Sequence, residues 1–213
     1  MAVELIRRPR EPISGDGTGA EGRPSCPHGV SLVEVVLALA LVLSLCAIGV
    51  PALGHLADAK RTRDASAFFA GQFRMARQRA VMTGRYVAVV FDAVADGVGW
   101  RTCLDGDRDG VSRADIASGT DRCEAPTEAV SLRFPGVRVE YLPGVPGPDG
   151  DLSPTPLRFG TAALAAFSPS GSSSSGTMAL RGAGVAQFAV RVAGATGRTR
   201  VLEFDPGRRV WVE

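Results

Sequence analysis

From Val35 to Val50 every residue is apolar or small, and the run continues with few polar atoms to Leu56. As a helix rising ~1.5 Å per residue it would span a hydrocarbon core of ~30 Å. A chain with such a stretch must either bury it in lipid or cover it with protein, so the rest of the fold has to be built around one membrane-length helix. Glu34 stands at its mouth. A lone carboxylate inside a membrane helix costs roughly 2.5–3.5 kcal/mol even on lenient insertion scales, so a partner cation is expected to offset it. The plain alternative is a signal anchor with a chance glutamate at its edge. Ala57-Asp58-Ala59 could pass for a signal-peptidase site, but the stretch from Val35 to Leu56 is longer than a typical signal h-region. Leu43-Ser44-Leu45-Cys46 is a poor lipobox, because Leu45 occupies the small-residue position.

Immediately upstream the chain reads Pro27-His28-Gly29-Val30-Ser31-Leu32-Val33-Glu34. A glycine five residues ahead of a glutamate, at the start of an apolar helix, resembles the processing site of type IV pilins and type II secretion pseudopilins. The resemblance implies cleavage by a prepilin peptidase after Gly29 and N-methylation of Val30. It also implies an assembly role for Glu34, paired with the N-terminal amine of a neighbouring subunit. Pro51 falls where such proteins often kink the helix; a proline removes an intrahelical hydrogen bond, and Gly49 and Gly54 flank it. The site departs from the common pattern at Val30, where phenylalanine is usual, and at His28, where lysine or arginine is usual.

Beyond Lys60 the pattern becomes amphipathic. Ala65, Phe68, Phe69, Phe73, Ala76 and Ala80 recur at three- and four-residue steps, with Arg63, Arg74, Arg77 and Arg79 on the rest of the wheel. Thr83-Gly84 ends it. Short β-like runs follow at Arg85–Phe91, Val130–Phe134, Val137–Leu142, Leu164–Phe167, Thr177–Leu180, Gln187–Val192, Arg200–Phe204 and Arg209–Val212. Leu142–Pro156, dense in Pro, Gly and Asp, reads as a long irregular loop, and Ser170–Gly176 as a mobile turn between strands. The expected fold class is therefore α+β: a long N-terminal helix, membrane-spanning then amphipathic, packed on a C-terminal antiparallel β-sheet domain.

This layout is similar to that of minor pseudopilins and pilins of the GspH/FimT type. The junction Phe69–Gly84 into Tyr86–Phe91, the segment Phe167-Ser168-Pro169-Ser170-Gly171 with Gly176-Thr177-Met178, and Ala195-Thr196-Gly197-Arg198-Thr199-Arg200 each resemble segments of that group. The implied organisation is a leader over 1–29, a transmembrane and assembly helix over 30–56, an amphipathic extension over 57–84 and a β-rich periplasmic domain over 85–213. The implied function is that of a minor pseudopilin at the tip of a type II secretion pseudopilus. Its place would be the bacterial inner membrane, single-pass, with other pseudopilins or pilins and the prepilin peptidase as partners. The alternative is a minor pilin of a type IV pilus that binds DNA for uptake.

Four cysteines divide accordingly: Cys26 lies in the expected leader, Cys46 in the membrane segment, and Cys103 and Cys123 flank one loop of the exported domain. An oxidising compartment lets the last two bond, for about 3 kcal/mol in the chain-entropy picture; two free thiols are the alternative. Within that loop Asp105-Gly106-Asp107-Arg108-Asp109-Gly110 begins like a calcium loop, alternating carboxylates with a glycine at the sharp turn. Its twelfth position is Ile116, with Asp115 one residue early. Asp105, Asp107, Asp109 and Asp115 are candidate calcium ligands, against a merely solvated turn.

A formal net charge of +2 speaks against bulk nucleic-acid binding. A local basic patch is available in Arg198 and Arg200, backed by Arg208 and Arg209 across a hairpin, and arginine forks suit phosphate oxygens. In some FimT-like proteins the matching segment contributes to DNA binding; Glu203 and Asp205 interrupt it here. A solvated or subunit-facing sheet edge is the other reading. No enzyme is expected. The two histidines are His28 and His55, so no histidine is available in the domain for a triad or a zinc site, and Ser172–Ser175 have no base.

Overall fold

The structure is a computed structural model that describes residues 29–213, without the side chains of residues 48–53 and 55. The expected leader up to His28, with Cys26, lies outside the described residues. The chain divides into two compact units, Met1–Ser44 and Leu45–Glu213. The fold is α+β, an N-terminal helix region followed by an antiparallel β-domain.

Helix α1 runs from Leu32 to Thr83. In the first unit its side chains are apolar on every side: Leu32, Val33, Val36, Leu37, Leu39, Leu41, Val42 and Leu43 are all exposed. Among the described residues no helix is long and apolar enough to cross a membrane. The side chains of residues 48–53 and 55, in the middle of the expected span, lie outside the described residues, Pro51 among them.

In the second unit α1 carries the amphipathic stripe. Ala65, Phe69, Phe73, Ala76 and Ala80 are buried, and Phe68 packs against them. Gly84, at φ 65°, closes the helix in the left-handed conformation that glycine adopts cheaply. The stripe meets two antiparallel sheets. The first consists of β1 (Val87–Val94), β2 (Gly97–Leu104), β3 (Arg122–Cys123), β4 (Glu128–Ala129) and β6 (Leu164–Phe167), in the order β3-β2-β1-β6 with β4 also on β2. The second runs β10-β9-β8-β7-β5, from β5 (Leu157–Phe159), β7 (Gly176–Arg181), β8 (Gln187–Val192), β9 (Thr199–Asp205) and β10 (Val210–Val212). Alternation along each strand sends Val87, Val89 and Phe91 of the first sheet, and Met178, Leu180, Val190 and Val192 of the second, into one core with α1. Phe159 completes it, stacked on Phe91 at 5.9 Å and tilted on Phe73 at 5.4 Å.

Asp58, 8% exposed, fastens the base of the amphipathic half to the β-domain. Its carboxylate oxygens accept the Ala183 and Gly184 N–H groups at 2.9 and 2.8 Å. A Cβ on Gly182 would fall 2.4 Å from Asp58 Oδ2, so only glycine permits this approach. Asp58 is thus an anchor inside a continuous helix, and a cut at Ala57-Asp58-Ala59 would sever it.

Several expectations are corrected. Val130–Phe134 is not a strand: Val130–Arg133 forms α3, with the Phe134 N–H on the Val130 carbonyl at 2.9 Å. There Arg133 lies over the Phe68 ring at 4.4 Å, so a tertiary contact overrides the alternating pattern. Val137–Leu142 makes only a bridge, Arg138 to Arg181; beyond it the Gln187 side chain takes the place of a ladder, accepting from the Leu142 N–H at 2.7 Å and donating to the Glu140 carbonyl at 3.2 Å. Strand β2 was not expected, because two glycines dilute its alternation. Gly99 is required there, since a Cβ would lie 2.4 Å from Thr127 Cγ2. The Ser168–Ser175 connection joins the two sheets and is held rather than loose. Ser174 Oγ donates to the Leu164 carbonyl, the Ser168 and Ser172 hydroxyls meet at 2.7 Å, and Arg77 donates to the Gly171 carbonyl at 2.9 Å.

Candidate functional site

Gly29, Val30 and Ser31 lie just ahead of α1, and Glu34 is in its first turn. Gly29, Val30 and Glu34 are all exposed, Val30 by 71%. An anion in the first turn complements the helix dipole. The sequence neighbours of Glu34, Leu32, Val33, Val36 and Leu37, are likewise exposed, on several sides of the helix.

The second candidate is the loop between β2 and β3. Cys103 and Cys123 are register partners on these strands and form a disulfide. Inside the loop, α2 (Arg113–Ser118) is capped by Ser112, whose hydroxyl accepts the Asp115 N–H at 3.1 Å and donates to the Asp115 carboxylate at 2.5 Å. The carboxylates of Asp105, Asp107 and Asp109 come within 4.8 Å of one another. Asp115 is not one of that group, being committed to its cap. Asp105 is buried and organises the turn, accepting the Arg108 N–H at 2.7 Å and the Tyr86 N–H at 3.4 Å. A hydrogen bond with Asp107, followed by the Asp107 charge, slight burial and the charges of Asp115 and Asp105, pushes the Asp109 carboxyl above its ordinary range. Three crowded acids suit a hard cation, yet both Asp105 oxygens already serve the backbone.

The loop has a keystone that its own spacing did not reveal. Asp121, 2% exposed, accepts the Gly106 N–H at 3.0 Å and the Ser112 N–H at 2.9 Å. Arg113 then ties the loop to the first sheet, donating to Asp92 at 2.5 Å and to the Phe91 and Ala162 carbonyls at 2.5 and 2.9 Å. Burial raises the Asp92 carboxyl, but the Arg113 hydrogen bond, the Arg101 charge, the Thr127 hydrogen bond and the Arg113 charge outweigh it and hold the group below its ordinary range.

The third candidate, the basic patch, is divided by the fold. Arg198 immediately precedes β9 and Arg200 is its second residue, whereas Arg208 and Arg209 lie in the turn after it. Five residues of strand, about 17 Å, separate Arg200 from Asp205, the near edge of that turn. Arg200 faces Glu213 at 3.4 Å, Arg208 faces Asp205 at 3.9 Å and Arg209 donates to the Gly144 carbonyl at 3.0 Å. What the register does bring together is a different row. Arg158, Thr177, Arg191 and Arg200 are successive cross-strand partners on β5, β7, β8 and β9. Asp149, from the irregular 142–156 segment, pairs with Arg191 at 2.6 Å and Arg158 at 3.3 Å. Burial and then the Asp149 charge push the neighbouring Tyr141 hydroxyl up to about 12. Sequence spacing could not expose this row, because its successive members are 9 to 19 residues apart and meet only through strand order.

No protein family, curated protein or solved structure matches the chain.

Proposed function

We propose that the chain is a minor pseudopilin, a structural subunit placed at the tip of a type II secretion pseudopilus. Prepilin peptidase cuts after Gly29 and methylates Val30, and the apolar part of α1 holds the subunit in the bacterial inner membrane until assembly. The β-domain, closed by its disulfide, belongs on the oxidising periplasmic side.

One observation carries the reading. α1 is apolar on every side and exposed over Leu32–Leu43, with Glu34 as its acidic first-turn residue, yet further along it turns amphipathic and becomes the spine of a β-rich domain. An all-round apolar helix is stable only inside lipid or among other apolar helices. A filament core supplies such neighbours, and the amine of a processed neighbour supplies the cation for Glu34. The domain offers no histidine for acid–base work, and its carboxylates Asp58, Asp92, Asp105 and Asp121 serve backbone groups and arginines. DNA uptake draws less support, because the four arginines expected to act together sit at two ends of β9.

Crosslinking in intact membranes followed by identification of the partners tests this. Recovery with secretion pseudopilins, lost on Glu34→Ala, is the expected outcome. Recovery with type IV pilus subunits would move the protein to that machine, and recovery without any pilin-like partner would contradict the proposal.

A further inference from the structure

The outer face of the second sheet holds positive charge in an unusual arrangement. Met178, Val190 and Val192 point into the core, so the alternate positions Arg158, Thr177, Arg191 and Arg200 point outward in one line across four strands. Arg191 and Arg200 are directly opposite one another, and like charges so placed destabilise a sheet unless anions lie between or beside them. The chain supplies two such anions, Asp149 and Glu213. Neither is fixed by burial: the Asp149 and Glu213 side chains are 39% and 52% exposed, and Arg191, Arg200 and Arg158 are 43%, 47% and 62% exposed.

Asp149 belongs to a segment without regular structure that crosses this face. It is fastened elsewhere by Trp211 donating to the Pro146 carbonyl at 2.9 Å, by Arg209 on the Gly144 carbonyl and by the Ala179 N–H on the Pro156 carbonyl at 2.7 Å. The Asp149 contact is therefore one local tie of the segment. Exposed ion pairs of this kind contribute only about 0–1 kcal/mol each, so an outside carboxylate can take its place at little cost.

We infer that this arginine row is a docking surface for an acidic segment of a partner protein, and that Asp149 is its built-in competitor. The partner chemistry follows from what the row already accepts, which is carboxylates, from Asp149 in a surface turn and from Glu213 beyond β10. Duplex DNA fits less well. Its affinity comes from many phosphates neutralised together, whereas this row is short, bordered by Asp149, Asp151 and Glu213, and set in a chain of net charge +2. The inference rests on the assembly reading only for the source of the partner, a neighbouring subunit.

The test is fluorescence anisotropy of a labelled hexaglutamate peptide with the full chain in nonionic detergent, at low salt. Asp149→Asn is expected to bind about fivefold more tightly than the wild type. The gain should vanish in Asp149→Asn/Arg191→Ala and fall in Asp149→Asn/Arg158→Ala. It should survive Arg208→Ala, at the far end of β9, and all variants should keep the wild-type urea midpoint to within the small cost of a surface pair. Unchanged binding by Asp149→Asn, or a gain that survives loss of both Arg158 and Arg191, would overturn the inference. So would a DNA duplex that displaces the peptide at equal charge, which would make the row a phosphodiester surface. None of these failures touches processing at Gly29, which is read separately from the mature N-terminus.

Discussion

The two sheets of the β-domain share one core but cover their outer faces in opposite ways. The first is covered by the loop between β2 and β3, which is closed covalently by Cys103–Cys123 and keyed by Asp121. Its contacts place Val111 and Ile116 against Ala88, Val90 and Leu164 in a second small core. The second sheet is covered by residues 142–156, without a disulfide, through single hydrogen bonds and the half-exposed Asp149 pairs. Buried carboxylates that satisfy backbone N–H groups are costly to remove, whereas exposed ion pairs are cheap. The first cover is therefore part of the fold, whereas in the second the Asp149 pairs are the contacts that cost least to exchange.

Breaking the covers one at a time tests that contrast. The largest loss is expected from Cys103→Ala/Cys123→Ala, about 3 kcal/mol in urea unfolding for a closed loop of this size; a loss below about 1 kcal/mol would mean the loop holds itself without the bond. Next, Asp121→Ala should cost about 2 kcal/mol, because the Gly106 and Ser112 N–H groups lose their buried acceptor. Calorimetry showing an unchanged midpoint would remove Asp121 as keystone.

Asp92 gives the contrast a pH signature. Its carboxyl is held below the ordinary value of 3.8, so the stability it adds is complete above pH 3.8 and is lost as pH falls through the lower folded value. Acid titration of Asp92→Asn should lack that step while the wild type shows it, and identical curves would exclude the Arg113 tie as its cause. Smallest of all, Asp149→Asn should change stability by less than about 1 kcal/mol while raising hydrogen exchange in residues 142–156 and not in 105–121. Faster exchange in both loops would erase the distinction.

What was legible in the chain divides along similar lines. The stripe Ala65, Phe69, Phe73, Ala76 and Ala80 follows from local periodicity, and it is buried as expected. Strands Gln187–Val192 and Leu164–Phe167 end where their residue patterns end, and Cys103 and Cys123, which flank one loop, form the expected disulfide. The acidic run Asp105–Asp109 announced a turn. It did not announce that Asp121, many residues on, would order it. The arginine row was hidden for the same reason: Arg158, Arg191 and Arg200 become neighbours only when β5, β7, β8 and β9 line up. Local chemistry wrote the elements, while long-range pairing decided which charges face each other and divided the basic patch that adjacency in sequence had suggested.

Whether this chain is the processed filament subunit proposed above is decided at the N-terminus of the protein purified from its native membrane. Mass spectrometry should find a mature chain that begins at Val30 and carries one methyl group. An intact leader, or a terminus near Lys60, would contradict it.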